Sequence, residues 1–108
     1  MCTAIDGDTL KCAGTSYRLQ AIDAPDLRCR KGRVCAPGDY HASKAALTRL
    51  VANRRVTIVD TGPAAWGRRQ AVVYVGSVNV ACELLRGRYV IYQAQYDRGR
   101  VIEKECGL

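Results

Sequence analysis

Five side chains have the types and spacing to do chemistry together: Asp8, Arg18, Asp23, Asp26 and Arg68. They lie in three segments, Asp6-Gly7-Asp8-Thr9, Arg18-Leu19-Gln20-Ala21-Ile22-Asp23-Ala24-Pro25-Asp26 and Trp66-Gly67-Arg68. Asp8 and Asp23 offer hard oxygen ligands, which suit calcium or magnesium rather than a softer metal. Arg18 and Arg68 offer planar forks that match phosphate oxygens. Asp26 follows Pro25, which ends a strand and holds the carboxylate at a loop mouth. Two ligand carboxylates, two arginines and a further carboxylate are the parts needed to hydrolyse a phosphodiester. Taken singly, each segment has a duller reading: Asp-Gly is a common turn, Ala-Pro-Asp is ordinary loop chemistry, and Gly-Arg after an aromatic residue says little. Order and spacing carry the case.

Those residues need strand ends to meet on. Residues 2–12 read as strand interrupted by Asp6-Gly7-Asp8, and residues 16–22 alternate as a half-buried strand. Residues 27–38 form an irregular loop closed by Pro37-Gly38. A helix is expected over residues 39–53, with Asp39 as N-cap and Ala42, Ala46, Leu47, Leu50 and Val51 on its inner face. Residues 55–60 and 69–75 read as strands, Asn79 caps a short helix through about Leu85, residues 88–92 form a last short strand, and residues 97–106 hold one weak helical stretch. This order gives an α+β, mainly β domain, an OB-like five-stranded Greek-key barrel with two to three helices.

One domain of 108 residues accommodates this and leaves no room for a second. Seventeen Lys and Arg against ten Asp and Glu leave a charge of +7, which attracts polyanions. Arginine dominates, with Arg28, Arg30 and Arg33 crowding one stretch, and this suits forked phosphate contacts better than solubility alone. No apolar run approaches the ~20 residues that cross a bilayer, so no membrane role is expected. Six Cys is many for this length, and an even count favours disulfides in an exported protein. Cys29 and Cys35 are the natural local pair, ahead of free buried thiols and of zinc, for which C-x2-C spacing is missing and His41 is the lone His. The other four Cys read as small packed hydrophobes. No signal peptide stands in front of the domain, so a trimmed mature form or a cytosolic protein would both fit. His41 reads as a surface residue, and no His-based triad is apparent.

The three segments together resemble the staphylococcal nuclease-like family, whose pattern runs Asp-Gly-Asp-Thr, Arg-Leu, Asp-(Ala/Thr)-Pro-Glu, a helix, then Tyr-Gly-Arg. The resemblance covers about residues 4–92 and includes Asn79-Val80 and Leu84-Leu85-Arg86. It implies an OB-fold barrel with the site at one rim. It also implies Asp8, Asp23 and the backbone carbonyl of Ala24 as calcium ligands. By the same resemblance Arg18 and Arg68 would grip the scissile phosphate, Asp26 would stand at the general-base position, and Trp66 and Tyr96 would contact substrate. The family's activity would be calcium-dependent cleavage of DNA or RNA, preferring unpaired strands, with little base specificity and 3′-phosphate ends. A monomer is expected. This chain departs from the pattern in having Asp26 for Glu, Trp66 for Tyr, and Ala64-Ala65 where a carboxylate is common.

Two other readings compete. A nucleic-acid- or protein-binding module would keep the barrel and the basic surface while losing catalysis at Asp26. A disulfide-rich secreted interaction protein would use the Cys count but leave the Arg and Asp set unexplained. Tyr89 and Tyr92 are divided between core packing and base stacking.

Overall fold

A computed structural model describes residues 1–108, and the first reversal of the chain is the Asp6-Gly7-Asp8 turn. That turn joins β1 (Cys2–Asp6) to β2 (Thr9–Cys12), which pair antiparallel with Cys2 opposite Cys12. β3 (Thr15–Leu19) continues the meander. The chain then makes a short β4 (Ile22–Asp23), crosses an irregular loop and enters α1 (Tyr40–Val51).

β5 (Val56–Pro63) and β6 (Arg69–Val75) form the longest hairpin, and β6 lies parallel to β3. The main sheet runs β1-β2-β3-β6-β5, with β7 (Val78–Asn79) added on β6. Ala71, Val72 and Val73 are all buried, the continuous apolar run of a strand covered on both faces. α2 (Val80–Arg86), β8 (Ile91–Tyr92) and α3 (Val101–Cys106) complete the chain, with β8 pairing β4 as a separate two-stranded ribbon. The architecture is α+β: a curled mixed half-barrel with three helices. Instead of five strands in one barrel, six strands form the main sheet and two short ones pair beside it.

One apolar core, with Leu10, Leu19, Ile22, Leu47, Val80, Leu84 and Ile102 almost wholly buried, lies between the sheet and the helices. α1 starts where Asp39 accepts hydrogen bonds from the amides of His41 (2.7 Å) and Ala42 (3.1 Å). Its inner face is Ser43, Ala46, Leu47 and Val51, while Ala42 is exposed. The expected face is kept except that Ser43 replaces Ala42 on it, filling the space that Gly7 leaves. α2 is capped by Asn79 as expected. The expected strand over 88–92 shrinks to Ile91–Tyr92, since Arg88 takes a positive φ of 60° just after the helix.

All six Cys are in disulfides: Cys2–Cys12, Cys29–Cys35 and Cys82–Cys106. The Cys29–Cys35 expectation holds. The reading of the other four as packed thiols does not. Cys2 and Cys12 face each other across a hairpin, and Cys82 and Cys106 are brought together where α2 meets α3. No helix is long and apolar enough to cross a membrane.

The C-terminal segment is tied down by Asp97, which is 8 % exposed. Its Oδ1 accepts from Gln20 Nε2 (2.9 Å) and the Ile102 amide (3.1 Å), and its Oδ2 accepts from the Tyr92 hydroxyl (2.7 Å) and the Glu103 amide (2.9 Å). Asp97 thereby caps the first turn of α3 and anchors it to the segment between β3 and β4. Tyr92 and Tyr89 both pack against the core, which resolves them as structural residues.

Candidate functional site

β3 and β4 set the centre of the site. Arg18 is the penultimate residue of β3, Asp23 ends β4, and Asp8 sits in the turn before β2. These elements bring the three side chains together. Arg18 Nη1 lies 2.5 Å from Asp8 Oδ2, and Nη2 lies 3.3 Å from Asp23 Oδ1. One guanidinium therefore spans both aspartates. Asp8 is further fixed by the Ala24 amide, which donates to Oδ2 at 2.8 Å, and by the Thr9 hydroxyl, which donates to Oδ1 at 3.0 Å. Asp6 joins from the other side, with Oδ1 accepting from the Asp8 amide at 3.2 Å.

Gly7 makes this convergence possible. A Cβ there would stand 2.4 Å from Ser43 Oγ and 2.9 Å from the Ala24 Cβ. Only a bare backbone lets the Asp6-Gly7-Asp8 turn lie against both α1 and the Ala24 segment. Gly7→Ala is accordingly expected to cost about 2 kcal/mol through overpacking. It should also push Asp8 off the Ala24 amide, read as an upfield shift of that amide proton in NMR. An unshifted amide would mean that the turn does not depend on this close approach.

Electrostatics divides the carboxylates. Burial pushes Asp6 up to about 6, helped by its hydrogen bond to Asp8 and the repulsion between them. Burial also works against the charge of Asp8, but Arg18 and the hydrogen bonds from Asp6 and Ala24 outweigh it and hold Asp8 below the ordinary range. Asp23 is raised, chiefly by burial and then by the charges of Asp8 and Asp26, with Arg18 offsetting only part. The cluster carries more negative charge than Arg18 balances.

A hard divalent cation would relieve that excess. No group of three or more His, Cys, Asp or Glu side chains converges as a ready metal cluster. Two aspartates with water completing the shell nonetheless suit calcium, which takes six to eight oxygen ligands. Asp23 Oδ2 receives no hydrogen bond from the protein, and Asp8 and Asp23 already converge on one cation, Arg18. Carboxylate oxygens are the donor type such an ion takes, and Asp8 and Asp23 would have to be shared between it and the guanidinium.

Beside this cluster opens a cavity of about 520 Å³. Arg18, Asp23, Arg68 and Tyr96 line it, together with Arg33 and Arg98. Arg68 is held by its Nε donating to the Ala65 carbonyl at 3.0 Å. Arg98 spans the end of β5, donating to the carbonyls of Thr61 (2.7 Å) and Pro63 (2.9 Å) across Gly62. Tyr96 is 56 % exposed and free to present its ring. Four guanidinium groups around one carboxylate make a pocket suited to a polyanion.

Of the residues expected in the site, Asp8, Ala24, Asp26 and Trp66 stand outside the cavity wall. Asp26 does not line it, and its Oδ2 is paired with Arg33 Nε at 3.3 Å. Trp66 is 92 % exposed, because a positive φ of 63° followed by Gly67 at 72° turns its side chain to solvent, while Ala65 and Arg68 on either side face the cavity. Arg33 and Arg98 also belong to the wall, though neither stands among the five chemistry-bearing residues of the sequence. The crowding of arginines at 28–33 was the available signal for Arg33; Arg98 left none, since its partners are backbone carbonyls over thirty residues away. His41 is exposed, as expected.

Fold and cluster together define an α+β domain with a curled sheet, carrying an arginine-lined cavity beside buried aspartates. No protein-family model matches the chain, and no curated protein matches it either.

Proposed function

We infer that the chain is a calcium-dependent nuclease of the staphylococcal nuclease type, on an OB-fold barrel, acting on DNA or RNA with a preference for unpaired strands. The observation that carries this reading is the shared cavity: Arg18 and Arg68, from segments fifty residues apart in sequence, line the same pocket as Asp23, and Arg18 also holds Asp8. Arg18 and Arg68 bind the non-bridging oxygens of the scissile phosphate and stabilise the charge that grows there as water attacks. Calcium, when bound by Asp8, Asp23 and the Ala24 carbonyl, supplies charge neutralisation at the phosphate. Asp26 is the nearest counterpart of the family's general base, and taking a proton from water requires Arg33 to release it. Tyr96 offers a ring on which a base stacks, with Trp66 as an outer aromatic contact. The three disulfides are consistent with an oxidising compartment, and the reading includes export and a monomeric state.

Cleavage of single- and double-stranded DNA and of RNA, with calcium or with chelator, tests the reading. Cleavage confined to the calcium samples and leaving 3′-phosphates is expected. Asp26→Glu, one methylene longer, is expected to raise the rate about tenfold by restoring reach. A folded, calcium-saturated protein that cuts nothing, and stays inert as Asp26→Glu, would remove the enzyme reading.

The pairing of Asp26 with Arg33 outside the cavity wall favours a second reading, a nucleic-acid-binding module without cleavage. That protein would bind oligonucleotides with a steep salt dependence and no need of calcium.

A further inference from the structure

The loop between Pro25 and Asp39 carries an arginine into the cavity on very little structure of its own. It holds no helix or strand, and its residues from Leu27 to Val34 are all exposed. Its one internal backbone hydrogen bond runs from the Arg33 amide to the Arg30 carbonyl, 3.0 Å. Apart from the buried Ala36 near its end, two things position it: the Cys29–Cys35 disulfide, and the ion pair of Arg33 Nε with Asp26 Oδ2 at 3.3 Å. Arg33 and Val34, inside the six-residue span of that disulfide, line the cavity along with Arg68 and Arg98.

The three disulfides are not equivalent. Cys2, Cys12 and Cys106 pack against the apolar core, so the Cys2–Cys12 and Cys82–Cys106 bridges are each partly shielded by it. Neither Cys29 nor Cys35 touches that core, and Cys29 is the only exposed cysteine of the six. A thiolate in solution reaches Cys29 first.

We propose that the Cys29–Cys35 disulfide is a redox-operated clasp that sets Arg33 as a third anion-gripping guanidinium of the cavity, so that the site is taut when oxidised and slack when reduced. This regulation rests on the reading of the cavity as a nucleic-acid site, but not on cleavage there. Opening uses a dithiol reductant. Its thiolate attacks Cys29 Sγ, the bond to Cys35 breaks, and Cys35 leaves as a thiolate that takes up a proton. The reductant's second thiol then resolves the mixed disulfide, freeing Cys29 as a thiol and leaving the reductant oxidised by two electrons. With the clasp open, the loop regains the freedom that ring closure removed. Arg33 is then no longer held at the wall, and Asp26 loses its partner. The site would grip nucleic acid loosely in a reducing compartment and tighten on reaching an oxidising one.

The test measures binding of a short fluorescent single-stranded oligodeoxynucleotide, in chelator so that nothing is cut, to four forms of the full chain. These are the oxidised protein, the protein after mild dithiol treatment, the Cys29→Ser/Cys35→Ser double variant, and Arg33→Ala with all disulfides intact. Alkylation and peptide mapping after the dithiol step identify the opened bridge. The Cys29–Cys35 bridge is expected to open first, and treated protein and both variants are each expected to bind about tenfold more weakly, the loss of one charge-assisted contact. Arg33→Ala should lose nothing further on reduction. The proposal is overturned if another bridge opens first, if reduction leaves affinity unchanged, or if oxidised Arg33→Ala binds as tightly as the unaltered chain. A poorly folding double variant would not blur the result, since Arg33→Ala and the dithiol-treated chain decide it alone. Clasp-dependent binding with no cleavage under calcium would sink the nuclease reading and leave the clasp standing.

Discussion

Arg18→Ala is expected to lose about 10³-fold in cleavage and, in the absence of calcium, about 3 kcal/mol of stability. Both effects have one origin. Arg18 is the only cation bridging Asp8 and Asp23, and Asp8 is 6 % exposed. Without the guanidinium, a buried carboxylate keeps the Ala24 amide, the Thr9 hydroxyl and its hydrogen bond with Asp6, but no cation, and Asp23 stands close by and repels it. Breaking one side of a buried pair is costly because the surviving charge stays buried. The useful contrast is with calcium. A cation held by the same aspartates replaces the missing charge, so melting temperatures with and without calcium should differ far more for Arg18→Ala than for the unaltered chain. Cleavage should stay lost, since calcium cannot restore a fork on the phosphate. Equal calcium shifts in the two proteins would mean that the ion and the guanidinium do not share these carboxylates.

Asp97→Ala is expected to lose about 3 kcal/mol, a drop in melting temperature of about 15 °C for a domain of this size. Four donors converge on that carboxylate, two of them amides in the first turn of α3. Removing it leaves those amides without a cap. It also loosens the start of the helix whose far end carries Cys106. Asp97→Asn keeps one acceptor and should lose roughly half as much. Acidity probes the same group. Burial favours the neutral acid, but the hydrogen bonds from Gln20, Glu103, Tyr92 and Ile102 outweigh it and lower Asp97 from the ordinary 3.8. A depressed carboxylate contributes stability that is complete above its unfolded value and is lost as pH falls through the folded one. Denaturation curves of the unaltered chain should therefore soften below about pH 4, and those of Asp97→Ala should soften less. Parallel curves would assign the acid sensitivity to other carboxylates.

Local signals carried much of this architecture. Asp39 and Asn79 mark helix starts because capping is decided within a few residues, and β6 is legible because a strand covered on both faces is apolar throughout. Asp8, Arg18 and Asp23, three of the five side chains singled out in the sequence, meet through the Arg18 guanidinium. Contacts decided by distant partners were not legible. Asp97 reads as a loop residue because its partner Gln20 is seventy-seven positions away. Cys82 and Cys106 meet only because α2 and α3 pack together. Cys2–Cys12 was within reach: Gly7 is the midpoint of the two, and a hairpin turning there sets them opposite each other. Pro25 marks Asp26 as a loop residue in the sequence, but its capture by Arg33 depends on the path of a loop that periodicity cannot describe.

The order of the disulfides has a consequence for how the chain is made. Numbered from the N-terminus, the first cysteine joins the second, the third joins the fourth and the fifth joins the sixth, so no bridge encloses or interlaces with another. A polypeptide entering an oxidising space N-terminus first meets each correct partner before the next pair arrives. Sequential oxidation during translocation would then give the right isomer directly, and scrambled, isomerase-dependent forms would arise mainly when the whole reduced chain is oxidised at once.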